Sequence, residues 1–137
     1  MKIKIFYLTM FICLSFSCKK TVDSNEYVTL KFGETVIVPN SNGTMKISFK
    51  EITDGRCPRE LAHLCYPNLA SITISLIQNE QTTDITLTIG GENGLKNPDY
   101  CVALGYRFGL SSLLPHPDDV TQIKKDDYVT KIKITQL

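Results

Sequence analysis

Thiols are the side chains with the most evident chemistry in this sequence, which has five cysteines and two histidines among its 137 residues. Cys57 and Cys65 flank a segment of seven residues, so a bond between them would close a short loop. Closing nine residues stabilises a fold by about 2.6 kcal/mol, because it removes entropy from the unfolded chain. The spacing is too wide for the close cysteine pairs of zinc sites. We therefore predict a Cys57–Cys65 disulfide, with pairing of Cys101 to either cysteine as the main alternative.

Two other groupings contain the residue types of catalytic sites. Ser111 and Ser112 lie close in sequence to His116, which is the nucleophile and base combination of serine hydrolases. Cys101 with His63 or His116 could in the same way form a thiol enzyme. A triad is defined by geometry in the fold, however, and the sequence has no G-x-S-x-G turn. We predict no enzyme, no catalytic residue, no cofactor and no metal site, and keep a hydrolase or thiol enzyme as the weaker alternative.

The first 17 residues have the pattern of a secretion signal. Lys2 and Lys4 give a positive start, and the 13 residues from 5 to 17 are uncharged and mostly apolar. A helix needs about 20 apolar residues to span a bilayer, so this run is too short. A positive start, a short apolar run and small residues at its end are typical of a cleaved signal. We exclude residues 1–17 from the fold and expect the remainder to lie outside the cytoplasm.

Cys18 follows this signal directly, and the sequence Leu14-Ser15-Phe16-Ser17-Cys18 resembles a bacterial lipobox. The resemblance implies cleavage before Cys18, a diacylglyceryl thioether on its sulfur and an acyl chain on its amino group. Several acyl chains make membrane attachment effectively permanent, whereas one alone holds only marginally. In this form residues 18–26 are a polar tether, and the protein belongs to the bacterial cell envelope, at the outer membrane. Ordinary cleavage, which leaves Cys18 as a plain N-terminal thiol, is the alternative.

The charge of the mature chain gives no electrostatic case for nucleic acid. Removal of Lys2 and Lys4 leaves 13 basic against 14 acidic side chains, a net charge of −1. Nucleic-acid binding needs a basic face or stripe, which the overall charge does not indicate. The partners we predict are the lipid bilayer, through acylated Cys18, and an envelope protein or glycan.

Apolar and polar residues alternate along much of residues 27–137. The alternation is clearest in residues 44–50, 72–77, 85–89 and 128–135, with shorter candidates at 28–32 and 36–38. A period of two with many β-branched residues predicts half-buried strands. Only residues 58–64 could form a helical turn. We therefore predict one all-β domain over residues 27–137, an antiparallel β-sandwich or a partly open barrel of seven or eight short strands.

Residues 100–110 form the most aromatic stretch, and we predict a single strand there. Alternation would place one set of large residues on one face, namely Tyr100, Val102, Leu104, Tyr106, Phe108 and Leu110. Binding of a small ligand by this strand is the alternative function. Tyr106, Arg107 and Arg56 are the candidate contacts for a ligand or partner. For Arg56, a buried structural role is favoured over contact with a ligand. For residues 100–110, close packing or a bulge at Gly105 is favoured over a ligand site.

Short motifs resemble a family of small secreted bacterial lipoproteins whose function is uncharacterised. The family carries a D-x-R-C-P segment with a second cysteine, then a G-Y-x-x-x-L segment followed by P-x-P. The matching positions here are Asp54-Gly55-Arg56-Cys57-Pro58 with Cys65, Gly105-Tyr106-Arg107-Phe108-Gly109-Leu110, and Pro115-His116-Pro117. The resemblance covers about residues 28–135 and implies an all-β domain with the two cysteines bridged. It implies no activity.

Overall fold

The computed structural model describes residues 26–90, 100–118 and 122–137, in which eight strands form two antiparallel four-stranded sheets. The strands are β1 (Glu26–Lys31), β2 (Thr35–Asn40), β3 (Gly43–Asp54), β4 (Leu69–Gln78), β5 (Gln81–Gly90), β6 (Tyr100–Ala103), β7 (Tyr106–Leu114) and β8 (Val129–Gln136). Two short 3₁₀ helices complete it: η1 (Arg59–Leu64) and η2 (Lys125–Asp127). Sheet A has the order β1-β8-β7-β6 and sheet B the order β2-β3-β4-β5. The predicted all-β class is confirmed, and of the two architectures the sandwich is the one observed.

The core lies between the two sheets and is built from the apolar members of the alternating segments. Every second residue is buried from Met45 to Phe49 in β3, from Ala70 to Gln78 in β4 and from Thr130 to Ile134 in β8, because successive side chains of a strand point to opposite faces. The largest buried apolar side chains are Leu30, Met45, Ile47, Phe49, Ile72, Ile74, Leu76, Tyr106, Phe108, Ile132 and Ile134. The hydrophobic effect therefore fixes which face of each sheet points inward.

The connections between strands differ at the two ends of the sandwich. At one end, the turn end, β2–β3, β4–β5 and β6–β7 are joined by two residues each, Ser41-Asn42, Asn79-Glu80 and Leu104-Gly105. At the other, the loop end, lie the β1–β2 turn and the longer connections after β3 and β7, which contain η1 and η2. The sandwich thus has one end of tight hairpins and one of longer loops.

The prediction of a single strand over residues 100–110 is wrong. Leu104 and Gly105 have φ of 52° and 80° and form the two-residue turn between β6 and β7. Two consecutive positive φ values are those of a type I′ hairpin turn, whose twist matches that of the flanking strands. Because two turn residues reverse the chain, Tyr100 and Val102 point to the outer face while Tyr106 points into the core.

Candidate functional site

A buried ion pair between Asp54, the last residue of β3, and Arg56 occupies the loop end. Their side chains are 8% and 7% exposed. Nε of Arg56 donates to Oδ1 of Asp54 at 2.8 Å, and Nη2 donates to Oδ2 at 2.7 Å. This two-point pairing is the strong geometry for a guanidinium and a carboxylate. The backbone N–H of Arg56 also donates to Oδ1 at 3.0 Å, so the turn itself helps to hold the pair.

Further Arg56 donors reach the other sheet. Nη1 donates to the carbonyl oxygen of Leu113 at 2.9 Å, and Nη2 donates to that of Pro115 at 3.0 Å. Leu113 belongs to β7 of sheet A, whereas Asp54 ends a strand of sheet B, so Arg56 links the two sheets. The structure therefore places Arg56 inside the loop end, where its donors face protein acceptors. Its contact with a ligand or partner stays a prediction.

Tyr128 completes this cluster, which we call the loop-end cluster (Asp54, Arg56 and Tyr128). Its hydroxyl donates to Oδ2 of Asp54 at 2.9 Å. Burial by itself would raise the pKa of Asp54, but hydrogen bonds from Arg56 and Tyr128 and the charge of Arg56 outweigh it and hold the pKa below its usual value. Burial, together with the hydrogen bond to Asp54 and its charge, raises the pKa of Tyr128 to about 12. Neither group is thus poised to exchange a proton near neutral pH, as an acid–base catalyst must.

A disulfide joins Cys57 and Cys65, as predicted, with the two Cα atoms 6.3 Å apart. The closed loop contains η1, and Pro58 is the residue that precedes this 3₁₀ helix. Oδ1 of Asn68 accepts a hydrogen bond from the N–H of Cys57 at 2.9 Å, which ties the loop to the start of β4. Cys101 is half-buried and its thiol is free, so the alternative pairing is not the one formed.

The two candidate contact residues of β7 point in opposite directions. Tyr106 is 2% exposed and lies in the core, with its ring centre 6.4 Å from that of Phe108. Its buried hydroxyl has no hydrogen-bond partner in the part of the chain that the structure describes. Arg107 is exposed, and its guanidinium carbon lies 4.4 Å from the centre of the Tyr100 ring. Of the three predicted contacts, Arg107 is therefore the one that the surface presents.

A cleft of about 230 Å³ opens at the turn end. It is lined by Asn42, Gln78, Asn79, Gln81 and Leu104. All three tight turns contribute to this lining, and four of the five side chains are carboxamides. A carboxamide offers both donors and an acceptor without carrying charge. The sequence did not predict this site, because the polar run Gln78-Asn79-Glu80-Gln81 indicates a turn but does not show that this turn lies beside the two other tight turns.

The histidine of the alternative catalytic grouping lies at the loop end, beside Asp118. Nδ1 of His116 lies 3.2 Å from Oδ2 of Asp118. The same nitrogen accepts a hydrogen bond from the backbone N–H of Asp118, also at 3.2 Å. Asp118 pairs in addition with the exposed side chain of Arg59 at 3.0 Å. Over residues 26–90, 100–118 and 122–137, no group of three or more His, Cys, Asp or Glu side chains is arranged to hold a metal.

The predicted signal over residues 1–17, Cys18 and nearly all of the tether lie outside the described residues. Among those that are described, no helix has the length and apolarity needed to cross a membrane. No protein-family model matches the chain, and neither the curated proteins nor the solved structures give a significant match. The resemblance to secreted lipoproteins therefore stays a prediction that depends on its short motifs.

Proposed function

We propose that the protein is a lipid-anchored bacterial envelope protein whose β-sandwich binds an envelope protein or glycan and is not an enzyme. The observation that carries the proposal is Cys18, which directly follows a positively charged start and a short apolar run. Two features support it. The Cys57–Cys65 disulfide suits an oxidising compartment outside the cytoplasm. Only seven residues separate Cys18 from β1, a spacing that would hold the domain close to the membrane. The membrane we propose is the outer membrane.

The anchor is tested by the intact mass of the mature protein and by its partition into a detergent phase. We expect a chain that begins at Cys18 and carries a diacylglyceryl group and one further acyl chain. Cys18→Ser should lose the lipid and move to the aqueous phase. Cys13→Ser is the matched control, because that cysteine lies within the apolar run and should be removed with the signal. An unmodified Cys18 in the wild-type protein would contradict the anchor.

The binding role is tested by crosslinking in intact cells followed by affinity purification of the protein. We expect one envelope protein or glycan to be recovered with the wild-type chain and not with an unrelated lipoprotein carried through the same steps. Recovery of the same set of molecules with both baits would count against a specific partner.

A second candidate function is binding of a small, neutral, hydroxyl-rich ligand such as a sugar in the turn-end cleft. The observation that favours it is the lining of four carboxamides, since paired donors and acceptors match the neighbouring hydroxyls of a sugar ring. The volume of about 230 Å³ lies below the roughly 300 Å³ of the smallest usual ligand pockets, so it suits a single ring. The three tight turns would hold the lining residues in place before the ligand arrives.

Saturation-transfer NMR with a panel of neutral mono- and disaccharides tests this second function. A sugar that binds should lose its signal with Asn42→Ala combined with Gln81→Ala. Gln122→Ala, at an exposed amide outside the turn end, should leave the signal unchanged. No saturation transfer to any neutral sugar, or an equal loss with Gln122→Ala, would contradict the cleft as a sugar site.

A further inference from the structure

The outer face of sheet A combines cations with apolar side chains. Strand register places four basic residues on this face, Lys31 on β1, Arg107 on β7, and Lys131 and Lys133 on β8. All four are exposed, and this face has no acidic side chain among the described strand residues. A single-sign face of this kind attracts a partner of opposite charge.

The four cations are not neutralised by neighbouring acids. None of them forms an ion pair with an acidic side chain in the described ranges. Nζ of Lys131 lies 4.7 Å from the centre of the Tyr27 ring, and the guanidinium of Arg107 lies 4.4 Å from that of Tyr100. Contact with an aromatic ring holds a cation in place without cancelling its charge. The charge of this face is therefore available to a partner.

Large apolar side chains are exposed between these cations. Tyr27, Tyr100, Val102 and Leu114 all point outward from sheet A and are 44% to 54% exposed. Tyrosine is enriched where a membrane meets water, because its ring is apolar and its hydroxyl is polar. Lysine and arginine beside exposed apolar groups form the usual surface of proteins that lie on an anionic bilayer.

The outer face of sheet B is different. Its charged side chains are of both signs: Lys46, Lys50, Glu51 and Asp84. Two of these, Lys50 and Asp84, form an ion pair at 3.9 Å. The outer face of sheet A therefore carries four unbalanced cations and that of sheet B two charges of each sign, although the mature chain has a net charge of only −1. Of the two outer faces, that of sheet A is thus the one that an anionic partner would favour.

The start of the domain places sheet A next to the proposed anchor. β1 is an edge strand of sheet A, and it begins at Glu26. The seven residues from 19 to 25 can span at most about 25 Å. Four strands spaced by about 4.8 Å make a sheet about 15–20 Å across. The chain between Cys18 and β1 is thus long enough for the whole sheet to lie flat on the bilayer.

We propose that the outer face of sheet A docks on the anionic surface of the membrane that holds the lipid on Cys18. The position of the membrane rests on the anchor proposed above, whereas the choice of face rests on charge and apolar exposure. Each basic residue near an anionic bilayer strengthens binding by about fivefold. Docking of sheet A would orient the domain on the membrane, with sheet B and both ends of the sandwich accessible to a partner.

Vesicle cosedimentation tests whether the outer face of sheet A binds an anionic membrane. The protein is the mature chain with Cys18→Ser, which carries no lipid of its own. The vesicles are phosphatidylcholine alone, or phosphatidylcholine with one third phosphatidylglycerol. We expect binding to the anionic vesicles only, and loss of binding at high salt as the charges are screened. Lys131→Gln with Lys133→Gln should weaken binding by roughly 30-fold. Lys46→Gln with Lys50→Gln is the control, because it removes the same charge from sheet B. It should change vesicle binding by less than about twofold, since those lysines lie on the other face.

Several results would overturn the proposal. One is equal binding to neutral and anionic vesicles, and another is equal weakening by the two double variants. Tighter binding to duplex DNA or to a soluble anionic polysaccharide than to the vesicles would also overturn it, because the face would then serve another polyanion. The mass measurement on Cys18 is independent of these assays, so failure of the anchor and failure of the docking face can be told apart.

Discussion

The two ends of the sandwich are held in place by different kinds of interaction. At the turn end, three pairs of residues reverse the chain, and each hairpin is closed by residues that are neighbours in sequence, including Asn40, whose Oδ1 accepts from the N–H of Asn42 at 2.9 Å. At the loop end, the longer connections are held by the disulfide and the loop-end cluster. Asp54 and Tyr128 of that cluster are 74 residues apart in sequence. One end is therefore specified locally, and the other by contacts between distant parts of the chain.

This difference determines what each end tolerates. A tight turn depends on one or two residues that accept a positive φ, and a change there strains the backbone without disturbing a network. A buried polar cluster depends on all of its members, because removal of one leaves the others buried without partners. Substitutions at the loop end should therefore cost more stability than substitutions at the turn end.

Arg56→Met should have the largest effect, since it leaves the buried carboxylate of Asp54 without its cation. We expect the free energy of unfolding to fall by about 3–5 kcal/mol, as when one partner of a buried ion pair is removed. Urea unfolding followed by circular dichroism measures this. Arg59→Met is the matched control, because Arg59 is 85% exposed and its ion pair with Asp118 should contribute less than about 1 kcal/mol. Equal losses in the two variants would show that the cluster does not hold the loop end.

Cys57→Ser combined with Cys65→Ser should have the next largest effect. The nine-residue loop that the disulfide closes should contribute about 2.6 kcal/mol through the entropy of the unfolded chain. Dithiothreitol should lower the stability of the wild-type protein by the same amount and leave the double variant unchanged. Cys101→Ser removes the free thiol and serves as the control, in which the effect of dithiothreitol should persist. A wild-type protein insensitive to reduction would contradict a stabilising disulfide.

Tyr128→Phe removes one hydrogen bond to a buried carboxylate and should cost about 1.5–3 kcal/mol at neutral pH. Folding raises the pKa of Tyr128 from its usual 10.0 to about 12. The hydroxyl therefore makes its full contribution to the free energy of unfolding below pH 10. That contribution is lost as the pH rises toward 12, because the unfolded chain loses the tyrosine proton before the folded chain does.

Urea unfolding below pH 10 and again between pH 10 and about 12 tests this dependence. The stabilities of the wild-type protein and of Tyr128→Phe should converge over the higher interval. Tyr100→Phe is the control, because it removes an exposed tyrosine hydroxyl that lies outside the loop-end cluster. A difference between the wild-type protein and Tyr128→Phe that stays constant over the higher interval would mean that Asp54 does not hold the tyrosine hydroxyl.

Much of the sandwich could be predicted from the sequence because alternation and burial have the same cause. The segment 128–135 has an aromatic or β-branched residue at every second position from Tyr128, and Thr130, Ile132 and Ile134 are fully buried. The segment 100–110 also alternates, yet it contains a turn. Leucine is not a usual turn residue, so Leu104 with a φ of 52° gave no signal, and Gly105 alone suggested only a bulge.

The candidate sites could be predicted only where they depend on neighbours in sequence. The Cys57–Cys65 bond follows from a spacing of eight residues. The partnership of Tyr128 with Asp54 depends on how β8 lies against the end of β3, which no local pattern contains. The cationic face of sheet A likewise depends on strand register. The net charge of −1 gives no indication of it, because acidic residues elsewhere in the chain balance the four cations.

Gly105→Ala should have the smallest effect, and its comparison with Gly90→Ala is the most direct comparison of the two ends. Both glycines have a positive φ, 80° and 91°, so alanine strains both backbones by about 1 kcal/mol. A Cβ at Gly105, in the turn end, would meet no atom within 4 Å, whereas one at Gly90 would lie 2.7 Å from the carbonyl oxygen of Asn68. Since Asn68 also holds Cys57, the clash at Gly90 acts on the loop end and should add to the strain. Thermal unfolding should therefore rank Gly90→Ala as the less stable variant, and the reverse order would contradict the assignment of the turn end as the more tolerant one.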